Sequence, residues 1–469
     1  MSQELIWLSA IELLEGYHSG AFSPVEVTRA TLDRIQDKDK LINAFVLVDG
    51  DRALDQARAS EARWQRGAPQ GQVDGVPSLV KDILLTEGWP TLRGSKTTDP
   101  NQPWNDDAPG VARMREHGAV LIGKTTTPEF GWKGVTDCPV SGITRNPWDL
   151  SKTPGGSSGG SSAAVVAGMG SLAFGTDGGG SIRIPAGFAG CYGIKPSFGR
   201  VPAWPLSPFG TVAHVGPMTR TVEDSALMLN VIAEPDARDW HGLPYEDRDY
   251  RDGLKDGVKG LKVAYSPALG YATVDPEIAA LVADAVKVFE DLGAHVEQVD
   301  PGFDDPMPIF RTLWWAGATY LLGELPAEKK ALLDPGLASV VEEGAKLSLR
   351  EFMDASQARG ALGAHMRGFM ENYDLLLTPA LPIPAFDAGV LSPTDDEHGK
   401  WTNWTPFSFP FNLTQQPAAS VPCGFTKAGL PAGLQIVGRM FDDAAVLRAS
   451  YAYEQTQTWG SEKPAFKGG

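Results

Sequence analysis

Short apolar runs that alternate with helical stretches limit the fold of this chain more than any other feature of its sequence. From residue 75 onward, glycine and proline separate these runs, as they do between strands and helices. The predicted strands are residues 76–85, 119–122, 172–175, 262–265, 295–299 and 432–437. The predicted helices are residues 111–117, 161–168, 276–292 and 442–454, with a further helix from Ile182 onward. This alternation indicates an α/β fold, because each helix must cover one face of a sheet.

Two stretches of the chain break the alternation. In the first, Ser23, Pro24 and Glu26 form a capping box with proline at the first helical position, which predicts a helical N-terminal segment over residues 1–65. Residues 236–260 are dense in Asp, Arg and Gly, and we predict that they form a long exposed loop. No internal repeat is evident, so we expect a single large domain over residues 1–469 with a central sheet.

Composition and charge exclude several classes of function. The formal net charge is −17, and so acidic a surface would repel nucleic acids and anionic membranes. The three cysteines, Cys138, Cys191 and Cys423, form neither a disulfide framework nor a C-x-x-C metal pair. No basic region followed by an apolar run opens the chain, so we expect no secretory signal and a cytoplasmic location. We expect no metal and no cofactor, and the oligomeric state stays open, with a homodimer among the states allowed.

Two motif matches stand in the wrong context. Residues 118–125 fit the phosphate-loop pattern G-x4-G-K-[ST], but the residues between the glycines are an apolar strand, and Pro128 stands where the helix should run. Residues 155–159 fit the G-x-S-x-G nucleophile elbow around Ser157, but a loop precedes them instead of a strand. Histidines occur downstream, so the elbow stays open as an alternative, and so does a flexible Gly/Ser linker.

A third motif, residues 175–183, follows a predicted strand and opens a predicted helix. The glycines Gly178, Gly179 and Gly180 allow a tight turn with several N–H groups on one side, where the helix N-terminus adds partial positive charge. Such a turn can stabilise an oxyanion, for which one well-placed donor is worth roughly 3–4 kcal/mol. Ser181 stands at its edge and is predicted to be a nucleophile. A helix-capping serine is the structural alternative.

Lys81 is the candidate base for this serine, since no histidine lies near Ser181 in the sequence. The residues around Lys81, among them Val80 and Ile83, are apolar. A lysine in apolar surroundings loses the hydration of its charged form, so its pKa falls and the neutral amine can accept a proton. Taken alone, an exposed strand lysine would explain Lys81 as well.

Together, these segments resemble the amidase signature family of serine hydrolases. Four segments carry the resemblance: GVPSLVKD at 75–82, TPGGSSGG at 153–160, TDGGGSIR at 176–183 and GIKPSFGRV at 193–201. The resemblance implies an α/β domain with a mixed central β-sheet that helices cover on both faces. It also implies a signature core over residues 75–205 and a second α/β part, residues 261–469, that shapes the substrate pocket.

The resemblance assigns a catalytic role to each matching residue. Ser181 matches the family's nucleophile, and Lys81 matches the base. Ser157 matches the bridging serine, which the family holds behind a cis peptide bond. The positions whose amides form the family's oxyanion hole are matched by Gly178, Gly179, Gly180 and Ser181 itself.

Two further matches concern the shape of the glycine loop. Asp177 and Arg183 match a structural pair that flanks the loop in the family. Gly178 departs from the pattern, because the family often has a larger residue there. The amide is kept at this position, but the loop loses a side chain and the local pocket shape changes.

A Ser181–Ser157–Lys81 triad would hydrolyse a small-molecule amide, anilide or carbamate through an acyl-enzyme intermediate. The main alternative is the glutaminase subunit of a tRNA-dependent amidotransferase, whose pocket must recognise an ammonium and a carboxylate. A binding protein without activity is disfavoured, because all three triad residues are present.

Aromatic residues are concentrated in the second half of the chain, and prolines interrupt the run over residues 401–411. A segment interrupted by proline is not regular helix or central strand, and aromatic side chains on such a loop often line a pocket. We therefore predict an aromatic pocket wall, with burial in the core as the alternative. Its members are Trp314, Trp315, Trp401, Trp404, Phe407, Phe409 and Phe411.

An activated phosphonate or sulfonyl fluoride is expected to modify Ser181, because that hydroxyl faces the predicted oxyanion hole. Peptide mass mapping after labelling identifies the modified residue. A label on Ser157 with Ser181 unmodified would contradict the assignment and support the nucleophile elbow.

Overall fold

The central sheet separates two hydrophobic layers, because successive side chains of a strand point to opposite faces. The computed structural model describes residues 2–393, 400–457 and 462–468. In one central strand, Leu375 and Leu377 pack into the core on one face of the sheet, whereas Leu376 packs into the core on the other. Both faces are buried, which explains why the central strands read as continuous apolar runs.

In the described residues, eleven strands form this sheet and two short strands form a separate hairpin. In chain order the strands are β1 (Phe45–Val48), β2 (Pro77–Lys81), β3 (Val120–Thr125), β4 (Asp137–Cys138), β5 (Gly142–Ile143), β6 (Leu172–Asp177), β7 (Tyr192–Lys195), β8 (His214–Thr219), β9 (Lys262–Tyr265), β10 (His295–Gln298), β11 (Leu375–Pro379), β12 (Ala418–Phe425) and β13 (Pro431–Gly438). The order across the sheet is β1-β3-β2-β6-β8-β7-β12-β13-β11-β9-β10, and β4 pairs with β5. Neighbours are parallel at β2–β3, β2–β6, β9–β10 and β9–β11, and antiparallel elsewhere.

Helices cover both faces of this mixed sheet. In chain order they are α1 (Ser2–Leu5), α2 (Ala10–Ser19), α3 (Pro24–Ile42), α4 (Gly50–Gln65), α5 (Pro109–Glu116), α6 (Gly159–Val166), α7 (Arg183–Ala189), α8 (Val222–Ile232), α9 (Pro276–Asp291), α10 (Met307–Leu322), α11 (Ala327–Lys330), α12 (Pro335–Gly344), α13 (Leu349–Phe369), α14 (Pro410–Leu413) and α15 (Asp443–Glu454). Helices α8, α9 and α15 pack on the face that carries Leu375, and α10 and α12 pack on the face that carries Leu376. The predicted α/β fold class, with a central mixed sheet between helices, is confirmed.

The predicted capping box at the start of α3 is present in the structure. The Ser23 hydroxyl accepts from the Glu26 amide at 3.3 Å, and the Glu26 carboxylate accepts from the Ser23 amide at 2.8 Å. Pro24 is the first residue of the helix. The two hydrogen bonds satisfy N–H groups that lack partners at a helix start, which fixes where α3 begins.

The strand predicted over residues 76–85 ends earlier, at Lys81. The amides of Ile83 and Leu84 both donate to the Lys81 carbonyl, at 2.7 and 3.1 Å, so the chain turns there instead of continuing as a strand. Strand β6, in contrast, runs two residues past the predicted end, to Asp177. Because β2 and β6 are parallel neighbours, Lys81 and Asp177 lie at the same edge of the sheet.

Residues 236–260 contain no helix or strand, in agreement with their composition. They are not uniformly exposed, however. Tyr250, Leu254 and Val258 are buried in the hydrophobic core beside α8 and α9. These apolar side chains hold the otherwise polar loop against the body of the molecule.

Candidate active site

The candidate catalytic residues meet at the carboxyl edge of the parallel strands β2 and β6. Lys81 is the last residue of β2, and Ser157 lies just before the start of α6. Ser181 lies between the end of β6 and the start of α7. The sequence places these residues far apart, and the sheet brings the three segments to one edge, where the loops that follow parallel strands commonly form active sites.

Lys81 is fully buried, and three hydroxyl groups surround its amine. The Lys81 Nζ lies 2.7 Å from Ser157 Oγ, 2.9 Å from Ser158 Oγ and 2.8 Å from Thr176 Oγ1. An ammonium has three N–H donors, so these hydroxyls satisfy all of them without a carboxylate. The predicted neighbourhood of Lys81 and Ser157 is therefore present, and Lys81 is not an exposed strand residue.

Burial lowers the pKa of the Lys81 ammonium well below its ordinary value, because the buried site offers no hydration to the charged form. The negative charge of Asp177 acts in the opposite direction, but more weakly. Asp82 carries the carboxylate that directly follows Lys81 in the sequence. This carboxylate lies 3.5 Å from Lys124 Nζ and accepts a hydrogen bond from the Leu92 amide. Lys81 is thus available as a neutral amine at a lower pH than an exposed lysine.

Ser158 and Thr176 also contact the Lys81 amine, and the sequence motifs did not predict these two contacts. The Ser158 hydroxyl donates to the Thr176 carbonyl at 3.3 Å and accepts from the Thr176 amide at 3.2 Å, which fixes its orientation toward Lys81. In the sequence, only their position within the family-like segments 153–160 and 176–183 pointed to these two residues. The peptide bond between Gly156 and Ser157 is cis, as the resemblance implied.

The glycine loop that follows β6 is held by its carbonyl groups. The Asp177 carbonyl accepts from Asn412 Nδ2 at 2.9 Å, and the Gly179 carbonyl accepts from Ser408 Oγ at 2.7 Å. Because a trans peptide directs its N–H away from its C=O, the Gly178 amide points away from Asn412. No acceptor in the described residues takes the amides of Gly178 and Gly179.

The Gly180 amide does not share this orientation. It donates to Asp177 Oδ1 at 2.7 Å. The expectation that all three glycines present their amides to an oxyanion therefore needs a correction, since this amide already has a buried acceptor. The Ser181 amide, in contrast, has no acceptor among the described residues and opens the turn into α7.

Asp177 and Arg183 form the expected pair, and both side chains are fully buried. The guanidinium binds the carboxylate through two bonds, Nε to Oδ2 at 2.9 Å and a second nitrogen to Oδ1 at 3.0 Å. Arg183 also donates to the Ser408 carbonyl, Gln435 and Asn412. This pairing lowers the pKa of the Asp177 carboxyl, so Asp177 stays ionised and holds the loop.

A cavity of about 410 Å³ opens over this edge of the sheet, and Ser157, Gly178 and Ser181 all line it. Most of its wall is apolar and comes from the turn after β2, from residues 197–210 and from α10. The larger apolar side chains are Ile83, Leu84, Phe130, Phe198, Val201, Trp204, Leu206, Phe209, Val215, Trp314 and Leu321.

The predicted aromatic wall is wrong for six of its seven members. Trp314 lines the cavity, but Trp315 and the aromatic residues of the 401–411 run are absent from its lining and lie in the hydrophobic core. Trp401 stands directly behind the glycine loop, because a Cβ on Gly179 would lie 2.8 Å from its Cη2 atom. The proline-interrupted run packs against α10, where Phe409 stacks on Phe310 at 5.1 Å.

The aromatic groups that do line the cavity come largely from an earlier loop. Residues 202–209 read PAWPLSPF, and both Trp204 and Phe209 face the cavity. The argument from proline-interrupted aromatics applies to this segment as well, and it adjoins the motif at 193–201. The sequence therefore carries the same signal in a second segment, residues 202–209.

The phosphate-loop match is excluded by the structure. Residues 120–125 of this match form β3, and Lys124 is buried, with its Nζ donating to the Leu84 carbonyl and to Thr91, each at 2.7 Å. The described residues contain no group of three or more His, Cys, Asp or Glu side chains arranged to hold a metal ion. In the same part of the chain, no helix is long and apolar enough to cross a membrane.

Comparison with known proteins establishes the class of this enzyme. A sequence model of the Amidase family matches residues 26–447. The chain belongs to the amidase signature family, and it is a hydrolase that acts on the carbon–nitrogen bond of amides.

Individual relatives cover nearly the whole chain. An acylamidase of Rhodococcus erythropolis is 37% identical over 99% of this chain and 98% of its own length. One subunit of the glutamyl-tRNA(Gln) amidotransferase of Myxococcus xanthus is 38% identical over 96% of this chain and 98% of its own length. Among solved structures, a bacterial aryl acylamidase is 33% identical with a TM-score of 0.91, and each chain covers 97% of the other. A 6-aminohexanoate cyclic dimer hydrolase is 29% identical with a TM-score of 0.89 and covers 98% of this chain and 99% of its own.

Ser158→Ala is expected to move the acid limb of the kcat/KM profile to lower pH and to reduce kcat. Its hydroxyl accepts from Lys81, and hydrogen bonds to an ammonium are stronger than those to a neutral amine, so their loss lowers the pKa further. The reduction in kcat follows because Lys81 loses one of the three contacts that aim its amine. A pH series with an amide substrate measures both effects.

Ser162→Ala is the matched control for this variant. Ser162 is a buried serine of α6, the helix that begins directly after Ser158, and its hydroxyl donates to the Gly159 carbonyl at 3.0 Å. An identical pH profile for Ser158→Ala and Ser162→Ala would show that Ser158 does not act on Lys81.

Proposed function

We propose that this chain is a serine amidase with a Ser181–Ser157–Lys81 triad that hydrolyses amides of apolar, aryl-bearing or medium-chain groups. The observation that supports it most is the buried Lys81 amine, 2.7 Å from Ser157 Oγ, beside a cavity that Ser181 also lines. A buried lysine held only by hydroxyls has the chemistry of a neutral base rather than that of an ion-pair partner.

In this proposal Lys81 works through Ser157. The neutral amine keeps two N–H donors, which Ser158 and Thr176 accept, and its lone pair takes the proton of Ser157. Ser157 in turn takes the proton of Ser181 as the Ser181 oxygen attacks the carbonyl carbon of the amide. No hydrogen bond joins the Ser181 and Ser157 hydroxyls in this part of the structure, and such contacts often form only when substrate binds.

The same relay then runs in reverse. The tetrahedral intermediate collapses when the C–N bond breaks, and the leaving nitrogen takes a proton from Lys81 through Ser157. The acyl group stays on Ser181 as an ester. Water gives its proton to the relay, attacks this ester, and releases the carboxylic acid and the free Ser181 hydroxyl.

The proposed oxyanion hole consists of the Gly178, Gly179 and Ser181 amides. The Gly178 amide shares its peptide bond with the Asp177 carbonyl, which accepts from Asn412, and the Ser181 amide shares its peptide bond with the Gly180 carbonyl, which accepts from the Ile184 amide at 2.7 Å. The Gly180 amide is left out, because it donates to Asp177. Donors that are already oriented before the reaction stabilise the developing charge without reorganisation.

The apolar wall of the cavity favours an apolar amide over glutamine. A glutaminase must hold the ammonium of glutamine as well as its carboxylate. Of the carboxylates that line the cavity, Asp177 is bound by Arg183, and Asp239 accepts from the Ala203 and His241 amides at 2.9 and 2.8 Å. In the described residues Asp239 has no lysine or arginine partner, so the preference for an apolar amide rests on the wall of the cavity, most of which is apolar.

Lys81→Ala is expected to reduce kcat/KM for an acyl anilide by about 100- to 10,000-fold, because the leaving amine loses its proton donor. An ester of the same acyl group is expected to lose less, because its leaving group needs less protonation. In the unmodified enzyme, kcat/KM is expected to rise with pH and to level off well below the range in which an exposed lysine titrates, because deprotonation of Lys81 creates the base.

Lys124→Ala is the control for the loss of a buried lysine. Lys124 lies on the neighbouring strand and contacts Leu84 and Thr91 instead of the serines. It is expected to lower stability while preserving the ratio of anilide to ester hydrolysis. The triad is refuted if Lys81→Ala hydrolyses the anilide as fast as the unmodified enzyme.

The purified chain alone is expected to hydrolyse an aryl or medium-chain acyl anilide with at least about tenfold higher kcat/KM than free glutamine, since burial of one or two carbons contributes roughly 1–2 kcal/mol. Side-by-side kinetics with the two substrates measure the ratio. Glutamine turnover equal to or above that of the anilide would support the amidotransferase alternative instead.

A further inference from the structure

We propose that Trp314 and Gly178 form a paired specificity device that sets the size of the substrate group beside the scissile carbonyl. In this pair, the indole edge of Trp314 occupies the space that a side chain at position 178 would otherwise fill. The enzyme then accepts flat or unbranched groups next to the carbonyl and excludes groups branched there. The inference rests on the proposed function and names the substrate class of the same site.

The distance between the two residues carries this inference. A Cβ atom on Gly178 would lie 2.7 Å from Cζ3 and 3.0 Å from Cη2 of Trp314. Real Cβ atoms do not approach other atoms that closely, so Trp314 and any side chain at position 178 exclude each other. Both residues line the cavity that Ser181 also lines.

The Trp314 ring cannot easily move out of this position. It stacks on Phe209 with a centroid distance of 3.8 Å and an angle of 13°, and it packs against Phe310 at 5.3 Å and 25°. Its Nε1 donates to the Trp132 carbonyl at 3.1 Å. A ring held by neighbours on several sides acts as a rigid wall, because a close-packed interior resists displacement.

Position 178 differs from Gly180 in its backbone conformation. Gly180 has a φ of 126°, which strains any other residue, whereas Gly178 is not among the residues with positive φ. Alanine at position 178 is therefore compatible with the backbone, and its methyl group meets Trp314 alone at close range. The backbone angles of Gly178 therefore do not exclude alanine, and the clash with Trp314 is the cause of any displacement that the substitution produces.

The experiment is a double-mutant cycle with Gly178→Ala and Trp314→Phe. Phenylalanine keeps a ring beside Phe209 but lacks the outer indole ring atoms that Gly178→Ala would meet. We expect Gly178→Ala alone to lower kcat/KM for acetanilide at least about tenfold, and to lower it less than about threefold in the Trp314→Phe background. Equal losses in the two backgrounds would overturn the pairing.

Selectivity is measured with anilides of acetic acid and of 2,2-dimethylpropanoic acid. Trp314→Ala is expected to raise kcat/KM for the branched anilide relative to acetanilide by about tenfold or more, because it opens space beside the carbonyl. Trp314→Phe is expected to move the ratio in the same direction. The specificity role would be overturned if the ratio is unchanged in both variants and thermal unfolding shows that both variants are folded.

Trp315→Ala is the matched control. Trp315 is the next residue of α10, is also buried, and donates to Glu343 at 2.9 Å, but it does not line the cavity. Its loss is expected to lower stability without changing the ratio between the two anilides. Failure of the proposed function can be distinguished from failure of the specificity pair. In the former case the unmodified enzyme would hydrolyse neither anilide, and phosphonate would leave Ser181 unlabelled.

Discussion

Burial of the Lys81 amine without a carboxylate partner is the constraint on which the rest of the site depends. A carboxylate at hydrogen-bond distance would hold the lysine protonated and remove it as a base. Asp82 follows Lys81 in the chain and Asp177 acts on it electrostatically, but both carboxylates are engaged elsewhere. Asp177 is bound by Arg183, and Asp82 faces Lys124 and backbone amides. The buried arginine therefore has two effects, since it orders the glycine loop and also binds the carboxylate of Asp177, whose charge raises the pKa of Lys81 less than burial lowers it.

Hydrogen bonds connect the glycine loop of the candidate site to residues of the hydrophobic core. Asn412 and Ser408 reach the loop from a segment more than two hundred residues away in the chain, and they tie down its carbonyl groups. The aromatic layer of that same segment, including Trp401, fills the space behind the loop. These residues do not line the cavity, yet Asn412 orients the free Gly178 amide and Ser408 orients the peptide whose Gly180 amide donates to Asp177. The loop is thus oriented by the core rather than by its own glycines.

Overall similarity does not separate the two activities found among the relatives. The acylamidase is 37% identical to this chain over nearly its whole length, and the glutamyl-tRNA(Gln) amidotransferase chain is 38% identical. The distinction must come from side chains around the cavity, since the relatives share the family and its fold. The apolar wall, the engaged carboxylates and the approach of Trp314 to Gly178 are the features of this chain that bear on it.

The sequence by itself determined the α/β class, the helix starts and the positions of Lys81, Ser157 and Ser181, because these depend on local periodicity, capping and motifs within short segments. Only the tertiary structure decided which groups meet. The contacts of Ser158 and Thr176 with Lys81 and the burial of the 401–411 aromatics all join distant segments. An aromatic residue in a proline-rich loop has the same local signature in a cavity wall and in a core, because burial is set by what packs against it.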